Sequence, residues 1–387
     1  MYKNSDVIFY NLIGAGKNGK TLLGSLIDNH PSISTFPMEM KFIEFSFNNL
    51  QNLNYRNLKN YLINESKFIF LNSKSEKNDI SEKYYDREYK RLVIGNLEKI
   101  KFNKKKYIKI IKKNSTSKII KSKNLREILI FFHKCLEKSL NKKFKDKIVI
   151  QDGIYGMRSI ANQIKYLKKI KFIVMVRNPL DVYVISKKAS QNLKFFRRQI
   201  GEFAPVENFK VRGRENEYNY FQVNKLFLQY RNNPNFLFIK YEDLVKYPIK
   251  KMNEVATFLN VKFSKNLISP TVFGQKFDCR LNQKKIRKNF YLDEIDQYKK
   301  KLKNEEIQYL EIKFQNFLQN FDYVNNKKYS LSFKIINLMK IYILNIFDLY
   351  KYIPKKNFLV KYFYCLTIQN NLFFLKNLAR LIKNKGV

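Results

Sequence analysis

Four short apolar runs, separated by stretches of helical periodicity, dominate the pattern of hydrophobic and polar positions along the chain. The runs are rich in β-branched and aromatic residues and comprise Asp6–Ile13, Lys147–Asp152, Lys171–Arg177 and Phe236–Tyr241. Runs of this length predict buried strands. After the first run, leucine and isoleucine recur at helical spacing through residues 22–27, which predicts a helix. This alternation indicates an α/β fold with a mainly parallel sheet that helices cover on both faces.

A glycine-rich turn joins the first predicted strand to the first predicted helix. Its sequence, "GAGKNGKT" from Gly14 to Thr21, satisfies the G-x-x-x-x-G-K-[ST] pattern of an ATP- or GTP-binding loop. Such a turn offers an anion backbone N–H groups and the positive end of a helix dipole, and its lysines add mobile charge. The loop therefore predicts a phosphate or sulfate site without identifying the nucleotide. It leaves open whether Lys17 or Lys20 acts on the bound group.

A second motif supplies another anion-binding group. In "KFIVMVRNPLDVYVIS", Lys171–Ser186, an apolar strand ends at Arg177 and a serine follows about two helical turns later. Arginine binds phosphate through a planar fork of donors, so this pair predicts a clamp for a second phosphate. Ligands of parallel sheets bind beyond the carboxyl ends of the strands, where Arg177 is expected. An ATP-dependent enzyme would instead need a carboxylate for Mg²⁺ after such a strand.

At this point the chain resembles the sulfotransferases that use 3′-phosphoadenosine 5′-phosphosulfate (PAPS). Five segments occur in the family's order between residue 6 and about residue 325: "GAGKNGKTLLGSLIDNHPSI", "FIVMVRNPLDVYVIS", "FLFIKYEDLVKYP", "TVFGQKF" and "YKKKLKNEEIQYLE", closing with "FDY". The resemblance implies that residues 1–325 form a P-loop NTPase-like catalytic domain. It further implies transfer of a sulfuryl group from PAPS to a hydroxyl of an acceptor, with no metal. The acceptor class it favours is a carbohydrate or glycoconjugate.

The resemblance also implies roles for residues of both motifs. Lys17 falls where the family carries the basic residue that stabilises the transferring sulfuryl group and the leaving 5′-phosphate. Arg177 would hold the 3′-phosphate, and Ser186 stands one position later than the family's companion serine. The remaining donor-binding positions would contribute backbone N–H groups, and the last of them also a hydroxyl: Asn18, Gly19, Lys20 and Thr21.

Two positions depart from the family's pattern. Lys20 stands where the family usually has a small hydroxylated residue, so the ATP-type pattern arises there by accident. "IQDGIYG" stands where many relatives show Glu-Lys-Thr-Pro, which leaves the role of Asp152 open.

Sulfuryl transfer to an alcohol needs a base near the acceptor oxygen. Glu39 follows His30 at the spacing at which many relatives place an acid, and it is the predicted base, with Glu44 as the alternative. A structural acid at a helix start is the competing interpretation of Glu39. His133 lies far from either motif and is expected on a helix, and His30 is expected to cap or pack beyond the first helix.

Composition bounds these hypotheses. Lys and Arg number 76 against 32 Asp and Glu, a formal net charge of +44 that is typical of proteins binding nucleic acid, acidic polysaccharide or anionic membrane. The abundant Lys, Asn, Ile, Phe and Tyr share A/T-rich codons, however, so genome composition competes as the explanation. Only two histidines are present, which argues against a histidine metal cluster. We expect no nucleic-acid partner; the oligomeric state stays open.

Two segments lie outside the resemblance. Residues 101–124 contain many lysines and no acid, and predict either a solvated insertion or a surface facing an acidic substrate or a membrane. The tail, 326–387, is basic and aromatic and predicts a helical extension on the core or on an anionic bilayer. Arg280, Arg287 and Lys288 either close over the donor or are plain surface charge.

The sequence leaves two alternative functions open. An ATP-dependent kinase or NTPase would use Asp152 as its Mg²⁺ ligand, and a non-catalytic polyanion- or membrane-binding protein would use the charge alone. The three cysteines, Cys135, Cys279 and Cys365, are too scattered for a disulfide framework. With no signal peptide or apolar run long enough to span a bilayer in the sequence, the expected location is the cytoplasm, with peripheral contact to an anionic membrane as an addition.

Overall fold

The structure is a computed structural model that describes residues 4–39, 103–114, 124–152, 154–191, 219–276 and 294–323, together with residues 330, 332 and 336. The strands are β1 Ile8–Gly14, β2 Ile33–Glu39, β3 Lys147–Gln151, β4 Ile170–Val176, β5 Phe236–Lys240, β6 Thr271–Val272 and β7 Gln275–Lys276. The helices are α1 Lys20–Ile27, α2 Lys104–Asn114, α3 Leu125–Ser139, α4 Ile160–Leu167, α5 Pro179–Gln191, α6 at residues 219–230, α7 Tyr241–Lys246, α8 Pro248–Phe258, α9 Tyr298–Lys301, α10 Asn304–Lys313 and α11 Gln315–Asn320.

Five parallel strands form the main sheet, in the order β2-β3-β1-β4-β5. The predicted α/β class is therefore confirmed, and the four apolar runs are β1, β3, β4 and β5. β1 lies at the centre because its residues are apolar on both faces. Alternate side chains show this: the Phe9 ring lies 5.3 Å from the Arg126 guanidinium of α3, while the Tyr10 hydroxyl donates to the carbonyl of Leu259 after α8.

The contacts divide the chain into two compact units, residues 1–177 with 225–292 and residues 178–224 with 293–387. The first unit holds the sheet, with α1 and α8 on one face and α2, α3 and α4 on the other. In the second unit an aromatic cluster buries Tyr220 against Phe314 and Phe317. There the Asp181 carboxylate accepts hydrogen bonds from the backbone N–H groups of Asp296 and Tyr298.

Strand β2 corrects the sequence interpretation, which passed from the first helix directly to the strand at residue 147. β2 lies at the edge of the sheet and pairs with β3 on one side, with an irregular register between Thr35 and Glu39. Pro37 lies within that interval. Proline cannot donate a ladder hydrogen bond and is tolerated at edge strands. With this proline and its polar residues, the strand lacks the continuous apolar pattern by which the others were predicted.

The lysine-rich segment contains helix α2, so part of the predicted insertion is helical; whether it faces a substrate or a membrane stays a prediction. α2 buries Tyr107 and Ile111, and the Tyr107 ring meets Phe132 of α3 edge-on at 6.3 Å. On this helix Lys105, Lys109 and Lys112 are exposed to solvent. Residues 115–123 and most of the tail lie outside the described residues, and no helix among those described is long and apolar enough to cross a bilayer.

Asp28 ties the first unit together beyond α1. Its carboxylate accepts from the Thr35 hydroxyl of β2 at 3.0 Å, the Thr271 hydroxyl of β6 at 2.9 Å and the Gly274 N–H at 2.7 Å. Gly274 has φ 76°, in the left-handed region that favours glycine. One buried carboxylate thus fixes the end of α1 to the edge strand and to the β6–β7 hairpin.

His133 lies on helix α3, as predicted, and is fully buried. Among the described residues neither of its ring nitrogens has a hydrogen-bond partner, and burial lowers the pKa of His133 to about 3. Cys135, two residues later on the same helix, is likewise buried as a free thiol, and burial raises its pKa to about 12. Both side chains are therefore neutral components of the core.

His133→Leu is expected to reduce the loss of stability below pH 6.5. The unfolded imidazole takes up a proton below its ordinary pKa of 6.5, whereas the folded one stays neutral until about pH 3. Acidification therefore stabilises the unfolded chain, by up to about 1.4 kcal/mol per pH unit in this window. Urea unfolding at pH 8, 6 and 5 measures the effect. Identical pH slopes for wild type and variant would contradict it.

Candidate functional site

The carboxyl ends of the central strands meet at one edge of the sheet, as parallel strands require. The glycine-rich loop follows β1, Asp152 follows β3, Arg177 follows β4, and Tyr241 follows β5. Because β3 and β4 both pair with β1, the side chains after them flank the loop on either side. Arg177 lies at the carboxyl end of a strand, where the sequence placed it, and its role as a phosphate ligand stays a prediction.

Left-handed backbone conformations shape the loop between β1 and α1. Gly14, Lys17 and Gly19 have φ values of 141°, 62° and 95°. A Cβ at Gly14 would overlap the Asn18 amide and the Met175 carbonyl, so the turn tolerates no side chain there. The buried Asn18 side chain donates to the Met175 carbonyl of β4 at 2.7 Å and accepts from the Lys20 N–H at 3.3 Å. The loop is thus held against β4 by its own side chain.

The two loop lysines differ in their surroundings. Lys17 is exposed at the turn. Lys20 is the first residue of α1 and only 5% exposed; its ammonium donates to the Asp152 carbonyl at 3.0 Å and lies 3.4 Å from the Gly14 carbonyl. Lys20 thereby bridges the ends of β3 and β1.

Asp152 belongs to a buried polar network. Its N–H donates to the Asn11 side chain at 3.1 Å, and its carboxylate lies 3.4 Å from the Gln163 amide. Gln163 also accepts from Asn11 at 2.7 Å and donates to the Gly156 carbonyl at 2.9 Å. This network anchors the chain that leaves β3 and positions the carbonyl to which Lys20 donates.

Arg177 is positioned by contacts on two sides. Its guanidinium lies 4.0 Å from the centre of the Tyr241 ring, and its Nη1 donates to the Lys17 carbonyl at 3.3 Å. A Cβ at Gly19 would overlap the Tyr241 ring, so only glycine permits this approach of loop and aromatic ring. Arg177 is 4% exposed, a degree of burial that strengthens its attraction for an anion. The sequence interpretation missed Tyr241, although its place after a fourth parallel strand was a usable signal.

The other predicted site residues are described in part. Glu39 ends strand β2 rather than starting a helix, and its side chain lies outside the described residues. Ser186 lies within helix α5, which begins two residues after Arg177, and its side chain is likewise not described. Thr21 lies in the first turn of α1 and is partly exposed. Glu44, Arg280, Arg287 and Lys288 lie outside the described residues.

His30 has a structural environment beyond α1, as predicted. One ring nitrogen lies 2.9 Å from the Lys262 carbonyl, and the other accepts from the Ser32 N–H at 3.2 Å. This edge of the sheet is opposite the loop, since His30 precedes β2.

The arrangement suits a ligand with two anionic groups. The first turn of α1 presents N–H groups and the positive end of the helix dipole, and the glycine turn admits an anion close to the backbone. Arg177 supplies a second, planar cationic donor set in contact with the same loop. A nucleotide bearing phosphates at two separated positions fits these features.

Comparison with known proteins gives one family and several structures. Residues 158–322 match the family described as the sulfotransferase domain; the matched range includes Arg177 and Tyr241 and begins after the loop. The chain is similar to the sulfotransferase domain of the Synechococcus PCC 7002 olefin synthase, with 16% identity, 82% of this chain and 95% of that chain covered and a TM-score of 0.44. It is similar to the sulfotransferase domain from the curacin biosynthetic pathway, with 17% identity, 82% and 98% covered and a TM-score of 0.46. Retinol dehydratase in a complex with retinol and PAP gives 14% identity, 85% covered of each chain and a TM-score of 0.34. A search of the curated proteins gave no match.

Proposed function

We propose that this chain, whose residues 158–322 belong to the sulfotransferase domain family, transfers a sulfuryl group from PAPS to a hydroxyl group of an acceptor. The resemblance drawn from the sequence is confirmed over that segment, and the chain is a sulfotransferase. The observation that supports PAPS as its donor is the contact of Arg177 with the carbonyl of Lys17. This contact places the Arg177 guanidinium beside the glycine-rich loop, and a donor with a 5′-phosphosulfate and a 3′-phosphate requires two such anion-binding groups.

Donor binding, charge stabilisation and proton transfer are assigned to different residues. Backbone N–H groups around Gly19 and Thr21 bind the 5′ end of the donor, while Arg177 binds the 3′-phosphate; the part of Ser186 stays a prediction from the sequence. Lys17 places its ammonium where negative charge grows on the leaving 5′-phosphate, which lowers the barrier. Glu39 takes the proton of the acceptor hydroxyl. PAPS supplies the sulfuryl group, and these steps use no metal.

The side chains of Asn18 and Lys20 shape the loop, and the Lys20 N–H donates to Asn18. Asn18 spends its amide on Met175 and on the Lys20 N–H, so its contribution is the shape of the turn. The Lys20 ammonium donates to two backbone carbonyls and holds the loop against β3. Lys17 therefore carries the electrostatic role in this proposal.

The acceptor is proposed only as a hydroxylated molecule. A saccharide stays a prediction from the sequence, and no contact among the described residues favours it over another alcohol. The cytoplasmic location and the lack of a nucleic-acid partner also stay predictions.

Thermal unfolding with three ligands tests the donor. Adenosine 3′,5′-bisphosphate at a hundred times its Kd should stabilise the fold by about 2.7 kcal/mol. Adenosine 5′-phosphate at the same concentration should give a clearly smaller shift, because it leaves Arg177 without an anion. A larger shift with Mg-ATP than with the bisphosphate would instead support the kinase or NTPase hypothesis, in which Asp152 binds Mg²⁺. Equal shifts from all three would indicate a basic surface alone.

Tyr241→Leu is expected to weaken binding of adenosine 3′,5′-bisphosphate by about 5- to 30-fold. The variant removes the ring over which the Arg177 guanidinium lies, an interaction worth about 1–2 kcal/mol when desolvated. Tyr241→Phe keeps the ring and should remain within about threefold of wild type. Isothermal titration calorimetry measures both. Equal losses in the two variants would assign the effect to the hydroxyl instead.

A further inference from the structure

The amino ends of the strands form a second edge of the sheet, opposite the donor loop. Helices α3, α4 and α8 end at this edge. Backbone hydrogen bonds show this for the first two helices: the Ile8 N–H donates to the Asp146 carbonyl after α3 at 2.9 Å, and the Phe9 N–H donates to the Lys169 carbonyl after α4 at 3.0 Å. The loop after α8 joins the same edge through the Lys262 carbonyl beside His30, which precedes β2. We call this edge, with the loops that follow the three helices, the amino-end surface.

Exposed lysines cover the amino-end surface. Two follow each of the three helices: Lys142 and Lys143 after α3, Lys168 and Lys169 after α4, and Lys262 and Lys265 after α8. The acids described there do little to balance them. Asp146 is paired with Lys147 at 3.6 Å, and Glu137 is buried beneath Ser34, whose hydroxyl donates to it at 2.7 Å. Asp6 is the exposed acid there among the described residues.

Large apolar side chains lie exposed among these lysines. Phe263, between Lys262 and Lys265, is 36% exposed, and in the last turn of α4 Ile164 is 43% and Tyr166 38% exposed. The Lys165 ammonium lies 5.4 Å from the Tyr166 ring. Lysines interleaved with aromatic and aliphatic side chains are typical of surfaces that enter the headgroup region of a bilayer.

We propose that the protein docks peripherally on an anionic lipid bilayer through the amino-end surface. The lysines meet the negative headgroups, and Phe263 and Tyr166 enter the interface. Lysine suits this partner because its compact point charge does not require the fixed bidentate geometry that arginine reads. The proposal goes beyond the proposed function and does not depend on it.

Docking in this way fixes the direction in which the donor site faces. β1 has seven residues, so its two ends are roughly 20 Å apart. The glycine-rich loop would then stand about that distance from the headgroups and face the aqueous side. A hydroxylated acceptor would reach the site from water.

Co-sedimentation with vesicles tests the proposal on the full-length protein. Binding to phosphatidylcholine vesicles containing about one third phosphatidylglycerol is measured at 0.1 M and 0.5 M salt, against pure phosphatidylcholine. The double variant Lys168→Glu/Lys169→Glu should lose at least about tenfold in affinity for the anionic vesicles. The matched control Lys246→Glu/Lys250→Glu makes the same charge change at exposed lysines near the opposite edge and should lose less than threefold.

Phe263→Ser tests the apolar part without changing charge. It should weaken vesicle binding several-fold and leave binding to a soluble polyanion, inorganic polyphosphate, unchanged. Each variant is first checked for a wild-type unfolding temperature. Equal loss in the two double variants, or no loss in either, would overturn the proposal. An unaffected Phe263→Ser with stronger binding to polyphosphate than to vesicles would make an anionic polymer the partner instead.

Discussion

Arg177→Ala is expected to weaken binding of adenosine 3′,5′-bisphosphate by roughly 100- to 1000-fold. The guanidinium is buried, is supported by the Tyr241 ring, and already donates to the loop, so little ordering cost remains when it binds a phosphate. Charge-assisted hydrogen bonds from such a group contribute about 3–4 kcal/mol together. Isothermal titration calorimetry at fixed moderate salt measures the loss.

Two comparisons identify the lost contact. Arg177→Lys keeps the charge without the planar fork and should recover only part of the affinity. Adenosine 5′-phosphate lacks the 3′-phosphate, so its affinity should change less than about threefold in Arg177→Ala. A parallel loss for both nucleotides would mean that Arg177 supports the loop through the Lys17 carbonyl rather than binding the 3′-phosphate.

Lys17→Met is expected to lower kcat by about 100- to 1000-fold with little change in KM for the donor. Removing one preorganised donor that meets charge developing in the transition state costs about this much. The backbone of Lys17 need not change, and its carbonyl still accepts from Arg177. Steady-state kinetics with saturating acceptor separates kcat from KM. Lys17→Arg keeps the cation and should recover most of the rate.

Lys20→Met provides the contrasting variant. It removes the ammonium between the Asp152 and Gly14 carbonyls, so unfolding temperature and nucleotide affinity should fall together. A selective loss of kcat in Lys20→Met, with an unchanged unfolding temperature and an active Lys17→Met, would assign the catalytic role to Lys20 instead.

Sequence patterns predicted four of the five strands of the main sheet and missed β2, which lies at one of its edges. β1, β3, β4 and β5 are continuous apolar runs because helices or neighbouring chain cover both of their faces. In β2 the buried polar side chains have hydrogen-bond partners: the Ser34 hydroxyl donates to Glu137, and the Thr35 hydroxyl donates to Asp28. Such a strand is stabilised by partners more than 100 residues away, or across a turn, and periodicity does not report them.

The sequence predicted the charged residues of the candidate site but not the contacts that hold them in place. The loop and Arg177 each carry a local motif at the end of a strand. The Arg177–Tyr241 contact and the Lys20–Asp152 contact depend on strand order, because β4 lies beside β5 and β1 beside β3. β1 lies beside β3 rather than beside β2, so the sequence alone could not assign the Lys20–Asp152 pair, whereas β4 and β5 are consecutive and the Arg177–Tyr241 pair was open to prediction.

The same strand order bears on synthesis of the chain by the ribosome. The loop emerges first, yet the carbonyl that holds Asn18 and the ring that packs on Gly19 belong to Met175 and Tyr241, the latter made roughly 220 residues later. At about 5–20 residues per second, the loop waits roughly 10–45 s for its last partner. The nucleotide of the proposed function therefore cannot assist folding of the nascent chain until β5 has emerged.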